Sequence, residues 1–472
     1  MRRTKIVATL GPASQDPKTL ERLIEAGVDV VRLNFSHGTK EQHQQGLENV
    51  RRISKRLGRA VACLQDLPGP KIRTGEVSDE AGVELKEGAS FVLTTEPMVG
   101  TAERVSTTYD LLPQDVEPGK HILLDDGVIK LEVVEVSGGE VKTRVMNGGR
   151  LKSNKGINLP GVRLSIPSLT DKDRRDADFG LSLDVDFMAQ SFVRSKEDVQ
   201  ELRSFLDQRG RSDLPIIAKI EKPQAVDNLA SILDVAEGVM VARGDLGVEL
   251  PAEHVPILQK DIIRAANERG RVVITATQML ESMVARPRPT RAEATDVANA
   301  ILDGTDAVML SAETATGNYP VESVATMARI AEYTEKRLGP RRRRPELAAV
   351  EGSPIARAVT RAACRTAEEL RARYVVAFTE SGSTARLVSS SRPASRILAF
   401  TPHERVCRQL ALTWGVTPLI ASHHDTTDEM LDSGMKVLSA QHMVEPGDIA
   451  IVVCGTTTLK GATNMIRVIP FD

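Results

Sequence analysis

The sequence predicts an α/β fold: a (β/α)8 TIM barrel with a small β-barrel lid domain inserted in it, followed by a C-terminal α/β regulatory domain. Three observations lead there. Eight strand-like apolar runs recur before residue 315, most of them separated by amphipathic helical stretches. Most of the runs end in polar or charged residues, as strands do at the C-terminal face of such a barrel, where active sites lie. One connection, residues 71–167, is far too long for a barrel loop and alternates like β-structure between turn signals.

The runs are KIVATL (5–10), VDVVRLNF (28–35), AVACLQD (60–66), VDFMAQSFV (185–193), IIAKIE (216–221), GVMVARGD (238–245), VVITATQ (272–278) and AVMLSAE (307–313). Stretches such as KTLERLIEAG and EDVQELRSFLDQRG supply the helices between them. The barrel is thus assigned to 1–70 and 168–340. The insert, 71–167, contains GVELKEGASFVLTT, PGKHILLDDGVIKLEVVEV and GGEVKTRVMNGG. Placed above the active face, it is expected to act as a lid. A second boundary falls at GPRRRRPEL (339–347). Its four arginines lie between Pro340 and Pro345 without neighbouring basic or aromatic clusters, so a solvated linker is preferred to a nucleic-acid site. Residues 345–472 form the last domain, which alternates helices with the short strands YVVAF, RILAF and IAIVV.

Composition narrows the function classes. With 472 residues, 41% hydrophobic and 27% charged, the chain is long enough for two or three globular domains. A net charge of −2 and only 3% aromatics argue against nucleic-acid partners and base-stacking platforms. The N-terminus, MRRTKIVATLGPAS, leads straight into a strand, and no run of about 18 apolar residues follows, so a cytoplasmic protein without membrane contact is expected. Cys63, Cys364, Cys407 and Cys454 are far apart and lack metal-ligand spacing, which favours buried reduced thiols over zinc or disulfides.

The chemistry concentrates at two strand ends. Lys219 and Glu221 close one apolar run, and Arg243 and Asp245 close the next. Charges there are costly to desolvate unless a ligand or metal uses them. Two carboxylates and a lysine converging at one place suggest a divalent cation holding a phosphorylated or oxyanionic substrate. Singly, Asp245 also reads as a turn residue of GDLG, and Glu221 as an exposed strand-end charge.

The segments TKIVATLGPAS, VRLNFSHG, GPKIRTG, NKGINLPG, AKIEK, VARGDLGVEL, TATQMLESM and RPTRAEATDVANAILDGTDAVMLSAET occur in this order. Together they resemble the pyruvate kinase family, in its bacterial form, over nearly the whole chain. The resemblance implies phosphoryl transfer from phosphoenolpyruvate to ADP. It implies Mg2+ (or Mn2+) on Glu221 and Asp245, and Lys219 at the transferring phosphoryl group. Arg73 and Arg32 resemble phosphate-clamping arginines, suited to the task by their planar, always-charged guanidinium. The amides of Gly244 and Asp245 would take the substrate carboxylate. Thr277 resembles the residue near C3 of the enolate, orienting a water or hydroxyl chain to which Ser311 and Glu313 belong. Asn34, His37, Arg73 and Lys155 resemble nucleotide contacts, with loop capping as the alternative for His37. Homotetramer assembly follows from the resemblance alone.

Three departures from the family pattern matter. Where many relatives read DTKGPEIR beside a K+ ion, this chain reads DLPGPKIR (66–73), with Leu67, Pro68 and Lys71 as the changes. Asn34, Ser36, Asp66 and Leu67 occupy the K+ positions, and the Lys71 ammonium is expected to replace the ion, as in a K+-independent branch. SAETATG (311–317) has Thr316 where relatives carry lysine, which removes one nucleotide-phosphate contact. TESGSTAR (379–386) resembles the family's allosteric phosphate loop, through Thr379, Glu380, Ser381, Gly382, Ser383 and Thr384, with a phosphorylated sugar or AMP as effector. Glu380 stands where relatives responsive to fructose 1,6-bisphosphate carry lysine. Two other readings compete: a metal-dependent barrel lyase or aldolase on pyruvate-like oxyacids, and an inert metabolite sensor. The first does not explain Lys219, the lid with Lys155 or the SHG segment, and the retained Lys219, Glu221, Asp245 and Thr277 argue against the second.

Overall fold

The computed structural model describes residues 2–162, 164–338, 353–424, 426–440, 442–455 and 463–471; the arginine-rich GPRRRRPEL segment lies outside them. Eight parallel strands close into a barrel in the order first, eighth, seventh, sixth, fifth, fourth, third, second. They are Lys5–Thr9, Val30–Asn34, Ala62–Leu67, Phe187–Gln190, Ile216–Ile220, Gly238–Ala242, Val272–Ala276 and Ala307–Leu310. Seven of the eight predicted runs contain a strand shorter than themselves, because the polar end of the run belongs to the loop above; the third strand instead continues one residue past its run, to Leu67. Side chains alternate along each strand. Ile6 and Ala8 pack outward against the helices. Val7 points into the lumen with Val30, Leu64, Ile217, Met240 and Ile274.

Helix ends follow their caps. Pro17–Ala26 starts on the Asp16 side chain, which accepts from the Thr19 amide, and stops at Gly27. Arg291–Asp303 opens with a Thr290–Glu293 capping box. At the top of the third strand, Gly69 takes φ 65°, a left-handed turn that sends the chain into the insert.

Strands of the insert form a six-stranded sheet and a separate two-stranded one around a core that includes Phe91, Leu93, Ile122 and Leu131. The sheet is open where the sequence suggests a small barrel. Its edge strands, Ile157–Asn158 and Arg104–Ser106, are only two and three residues long. Isolated bridges, Arg73 with Gly156 and Thr74 with Thr107, join the edges in place of a continuous ladder.

The last unit has five strands in the order Val416–Ile420, Arg396–Thr401, Tyr374–Phe378, Ile449–Gly455, Thr463–Pro470, the final one antiparallel. The two edge strands are not evident in the sequence: Pro418 interrupts one, and the other is half-exposed. This unit docks under the barrel. Ala411 and Leu412 fill the floor of the lumen, and Leu412 is fully buried, a contribution of about 2 kcal/mol. Arg408 Nε lies 2.7 Å from Asp186 Oδ1, and Arg392 Nη2 2.7 Å from Asp306 Oδ1. Both aspartates immediately precede barrel strands, so the opposite face is left free for chemistry. All four cysteines are buried. Among the described residues no helix is long and apolar enough to cross a membrane.

Candidate active site

Parallel pairing in register brings polar residues from five neighbouring strands together. Asn34 stands beside Asp66 in the second and third strands, and Ala218 beside Gln190 in the fifth and fourth. Lys219 and Glu221 are two residues apart, so both project to the same side. Lys219 Nζ lies 2.6 Å from Glu221 Oε1 and 3.4 Å from Asp66 Oδ1. It also donates to Ser191 Oγ at 2.7 Å. Arg32 Nε donates to Asp66 Oδ2 at 2.7 Å, and Arg32 Nη1 to Thr9 Oγ1 at 3.1 Å. Asp66 and Glu221 are only 1% and 4% exposed, so these are interactions in a largely water-free setting.

The electrostatics follow from that crowding. Burial pulls the Lys219 ammonium down, but Asp66, Glu221 and Asp245 outweigh it and hold the group above its usual range. Burial pushes Asp66 up, yet Lys219 and Arg32 bring it below the ordinary carboxylate value. Glu221 stays raised: burial and the nearby Asp245 carboxylate together exceed the pull of Lys219 and the hydrogen bond from the Phe192 amide. Lys219 is shared between two carboxylates, whereas Glu221 faces a second anion. That imbalance suits a hard divalent cation. Glu221 and Asp245 are oxygen donors of the right class, and among the described residues no group of three or more His, Cys, Asp or Glu stands ready for a metal. Two carboxylates leave the remaining positions to substrate oxygens and water.

On the sixth and seventh strands the backbone itself is specialised. A short helix, Arg243–Glu249, begins where the sixth strand ends, so the Gly244 and Asp245 amides lie in its first turn. The Gly244 amide, however, donates to Thr277 Oγ1 at 2.7 Å. The Thr277 hydroxyl in turn donates to the Ala276 carbonyl at 2.6 Å. Thr277 has φ 68° and Gln278 φ 52°, and Thr277 is the only β-branched residue with positive φ among those described. Such a conformation costs about 1–3 kcal/mol and persists only where neighbours enforce it. A cavity of about 730 Å³ opens here, lined by Asp126 of the insert, Gly244, Asp245, Thr277 and Ser311.

Ser311 and Glu313 separate. Ser311 reaches the cavity, while Glu313 is fully buried behind it and accepts from the Leu280 and Ser311 amides at 3.0 and 2.6 Å. Burial raises its carboxyl. The arrangement makes Glu313 a clasp between the loops after the seventh and eighth strands.

The rim holds the remaining candidates. Asn34 Oδ1 accepts from the Ser36 amide at 3.1 Å, and the Leu67 carbonyl accepts from Ser191 Oγ at 2.7 Å. The Lys71 side chain is exposed at the mouth, yet the surrounding walls and then Lys219 and Arg73 lower its pKa. Burial, Lys71, Arg73 and Arg32 lower that of His37. Arg73 Nη1 donates to the Asn154 carbonyl at 3.2 Å. Lys155 is paired with Asp125 at 2.8 Å within the insert. The insert touches the barrel where Asn158 Nδ2 donates to Glu249 Oε1 at 3.4 Å, the carboxylate that also pairs with Lys222 at 2.5 Å.

The distant phosphate-loop candidates sit in the last unit. Gly382, at φ 82°, opens the helix Ser383–Ser390. Ser381 Oγ and Ser383 Oγ are 3.2 Å apart, and the Thr384 and Thr463 hydroxyls 2.7 Å apart. The Thr379 hydroxyl is buried without a partner among the described residues. Glu380 lines a cavity of about 1070 Å³ with Ser381 and Ser383, and His403 Nε2 lies 2.7 Å from its carboxylate.

Two residues escaped the sequence reading. Ser191 touches Lys219, and its only signal was a hydroxyl at the end of an apolar run. Arg243 was visible at its strand end, but its five partners come from three separate segments.

Comparisons with known proteins identify the family. The family profile described as "Pyruvate kinase, barrel domain" matches residues 1–324, and "Pyruvate kinase, alpha/beta domain" matches 357–469. Pyruvate kinase of Staphylococcus saprophyticus is 47% identical over 470 residues, 99% of this chain and 80% of that protein. That of Geobacillus stearothermophilus is 48% identical over the same shares, and pyruvate kinase 2 of Synechocystis is 49% identical over 99% and 79%. The crystal structure of a pyruvate kinase from Cryptosporidium parvum superimposes with a TM-score of 0.93 at 37% identity, over 100% of this chain and 96% of that one. With a closed eight-stranded barrel, buried lysine and carboxylates at its C-terminal face, and profile matches over most of its length, the chain belongs to the pyruvate kinase family of phosphotransferases.

Proposed function

We propose that the chain transfers the phosphoryl group of phosphoenolpyruvate to ADP, giving ATP and pyruvate in glycolysis. The observation that carries the reading is Lys219, only 12% exposed and held charged between Asp66 and Glu221 with Arg32 beside them. The phosphoenolpyruvate P–O bond breaks, its electrons pass to the enolate oxygen, and a new P–O bond forms to ADP. Lys219 and Arg32 neutralise the moving phosphoryl group, and Lys219 then faces the enolate oxygen. Arg73 takes the phosphates from the rim. Mg2+ or Mn2+, when bound to Glu221 and Asp245, supplies Lewis-acid charge stabilisation. Gly244 and Asp245 remain the candidates for the substrate carboxylate, with the Gly244 amide already shared by Thr277. Thr277 orients the hydroxyl and water chain that delivers a proton to C3, and Ser311 extends it. Glu313 is better placed to hold that wall than to carry the proton.

Asn34, His37, Arg73 and Lys155 are assigned to the nucleotide. K+ is not required in this reading, because the Lys71 ammonium stands in for it. Two former ligand oxygens, Asn34 Oδ1 and the Leu67 carbonyl, are already engaged by protein donors. Thr379, Ser381, Gly382, Ser383 and Thr384 are assigned to a phosphorylated sugar or AMP. The pairing of Glu380 with His403 supports an effector other than fructose 1,6-bisphosphate. Domain limits of 1–70 with 168–340, 71–167 and 345–472, a homotetramer, and a cytoplasmic location complete the proposal. The test is ADP-dependent pyruvate formation with Mg2+, with and without K+ and the candidate effectors. A barrel lyase would release pyruvate without ADP, and that outcome would sink the reading.

A further inference from the structure

We infer that Arg243 is a positioning residue for the proton-transfer step, setting the Thr277 hydroxyl from its place in the same cavity wall. The role rests on the assignment of Thr277 to protonation of the enolate. A guanidinium carries five N–H donors in a rigid plane, and Arg243 has five acceptors around it. Nε donates to the Ala276 carbonyl at 3.2 Å. Nη2 donates to the Thr277 carbonyl at 2.7 Å and contacts Met279 Sδ at 2.8 Å. Nη1 donates to Asp296 Oδ1 at 2.7 Å and to Gln259 Oε1 at 3.2 Å. One edge of the plane thus grips the turn after the seventh strand, and the other is anchored to helices Val255–Glu268 and Arg291–Asp303.

What is gripped explains why. Thr277 and Gln278 are consecutive residues at positive φ, and a β-branched residue does not stay there unaided. Arg243 caps the carbonyls on either side of the Thr277 nitrogen and α-carbon, which fixes both peptide planes. The Ala276 oxygen is also the acceptor of the Thr277 hydroxyl at 2.6 Å, so the guanidinium and the hydroxyl share one atom. Arg243 therefore determines where that oxygen lies, and with it the direction of the hydroxyl. On the other side the Gly244 amide, next in the chain after Arg243, donates to the same hydroxyl. The Arg243 side chain is 11% exposed and, with Gln259 and Asp296, lines the same cavity as Thr277. A lysine keeps the charge but has no fork with which to hold two carbonyls at once.

The test separates proton transfer from the rest of the reaction. With ATP and Mg2+ in D2O, an enzyme that protonates the enolate also runs the step backwards. A methyl C–H bond of pyruvate breaks, the proton passes to solvent, and a C–D bond forms, which NMR follows directly. Arg243→Lys and Arg243→Gln are expected to slow this exchange about 10-fold or more. The solvent isotope effect on kcat should rise as protonation becomes limiting, with the phosphoenolpyruvate KM within about twofold of the parent. Asp296→Asn loosens only one anchor and should show the same pattern more weakly, which keeps the test decisive if Arg243→Gln does not fold. A merely structural role predicts a lower melting temperature with exchange and turnover falling equally and no change in isotope effect; that result overturns the inference. If Thr277→Ala slows exchange while Arg243→Lys and Asp296→Asn do not, Arg243 loses its role and Thr277 keeps its own. If none of them slows exchange while turnover persists, the assignment of Thr277 falls, and Arg243 with it.

Discussion

Lys219 and Glu221 meet through a 2.6 Å contact between residues two apart on one segment, yet only the lysine gains fully from it. Its ammonium is stabilised by two carboxylates, while Glu221 remains raised beside Asp245. Replacing Lys219 by methionine leaves Glu221 and Asp66 without their shared cation, although Asp66 keeps Arg32. Turnover should fall by at least about 10²–10³-fold, the scale of one preorganised charge at a developing oxyanion. Removing one partner of a buried pair also costs about 3 kcal/mol, so the variant should melt earlier. Glu221→Gln is expected to abolish the rise in melting temperature that Mg2+ gives the parent. A full Mg2+-dependent rise in that variant removes Glu221 from the metal site.

Lys71 gives a prediction about ions. Its ammonium, at the mouth of the cleft, is destabilised by desolvation and then by Lys219 and Arg73, so it is poised to gain from incoming anions. The parent should turn over at undiminished rate in K+-free buffer. Lys71→Glu should lose about 10-fold or more without K+, equivalent to one charge-assisted contact, and recover when K+ is supplied. Parent activity that collapses without monovalent cations contradicts the assignment.

The sequence and the structure differ instructively in what each makes legible. Barrel strands are readable because burial on both faces forces continuous apolar runs, and their polar ends mark the active face. Lys219, Glu221 and Asp66 were visible for that reason. The grip of Arg243 was not, since its acceptors are backbone carbonyls and side chains from distant segments that only folding brings together. Glu313 looked like a reacting carboxyl, because sequence shows a charge at a strand end but not which way it turns. The docking of Leu412 into the barrel floor was equally hidden: an apolar residue in a late loop carries no sign of its partner.

Asp29 sets a pH dependence away from the chemistry. It accepts from Arg2 Nη2 at 2.7 Å and from the Ile6 amide at 2.8 Å, pinning the start of the first strand. Burial raises its carboxyl, but Arg2 and Lys5 outweigh that and hold it below 3.8. A depressed carboxyl stabilises the fold above its unfolded value and loses that contribution as pH falls through the folded value. Asp29→Asn should therefore cost about 3 kcal/mol near neutrality, measured by denaturant unfolding. The difference from the parent should shrink as the pH falls below 3.8. A difference that stays constant with pH excludes the carboxylate as its source.

Lys155 gives a prediction about the nucleotide. Its ammonium is paired with Asp125 at 2.8 Å, but the two side chains are 33% and 27% exposed. Such pairs contribute about 0–1 kcal/mol, so the lysine can exchange Asp125 for a nucleotide phosphate at little cost. A charge-assisted hydrogen bond to phosphate is worth about 1.5–3 kcal/mol, so Lys155→Ala should raise the KM for ADP roughly 10-fold or more. The phosphoenolpyruvate KM should stay near the parent value, and the melting temperature should move by about 1 °C at most, since the lost pair is weak. Asp125→Asn removes the competing anion and should lower the KM for ADP by up to about fivefold, the equivalent of that same pair energy. Steady-state kinetics with ADP varied at saturating phosphoenolpyruvate measures both. An ADP KM unchanged in Lys155→Ala assigns the lysine to the fold of the insert alone.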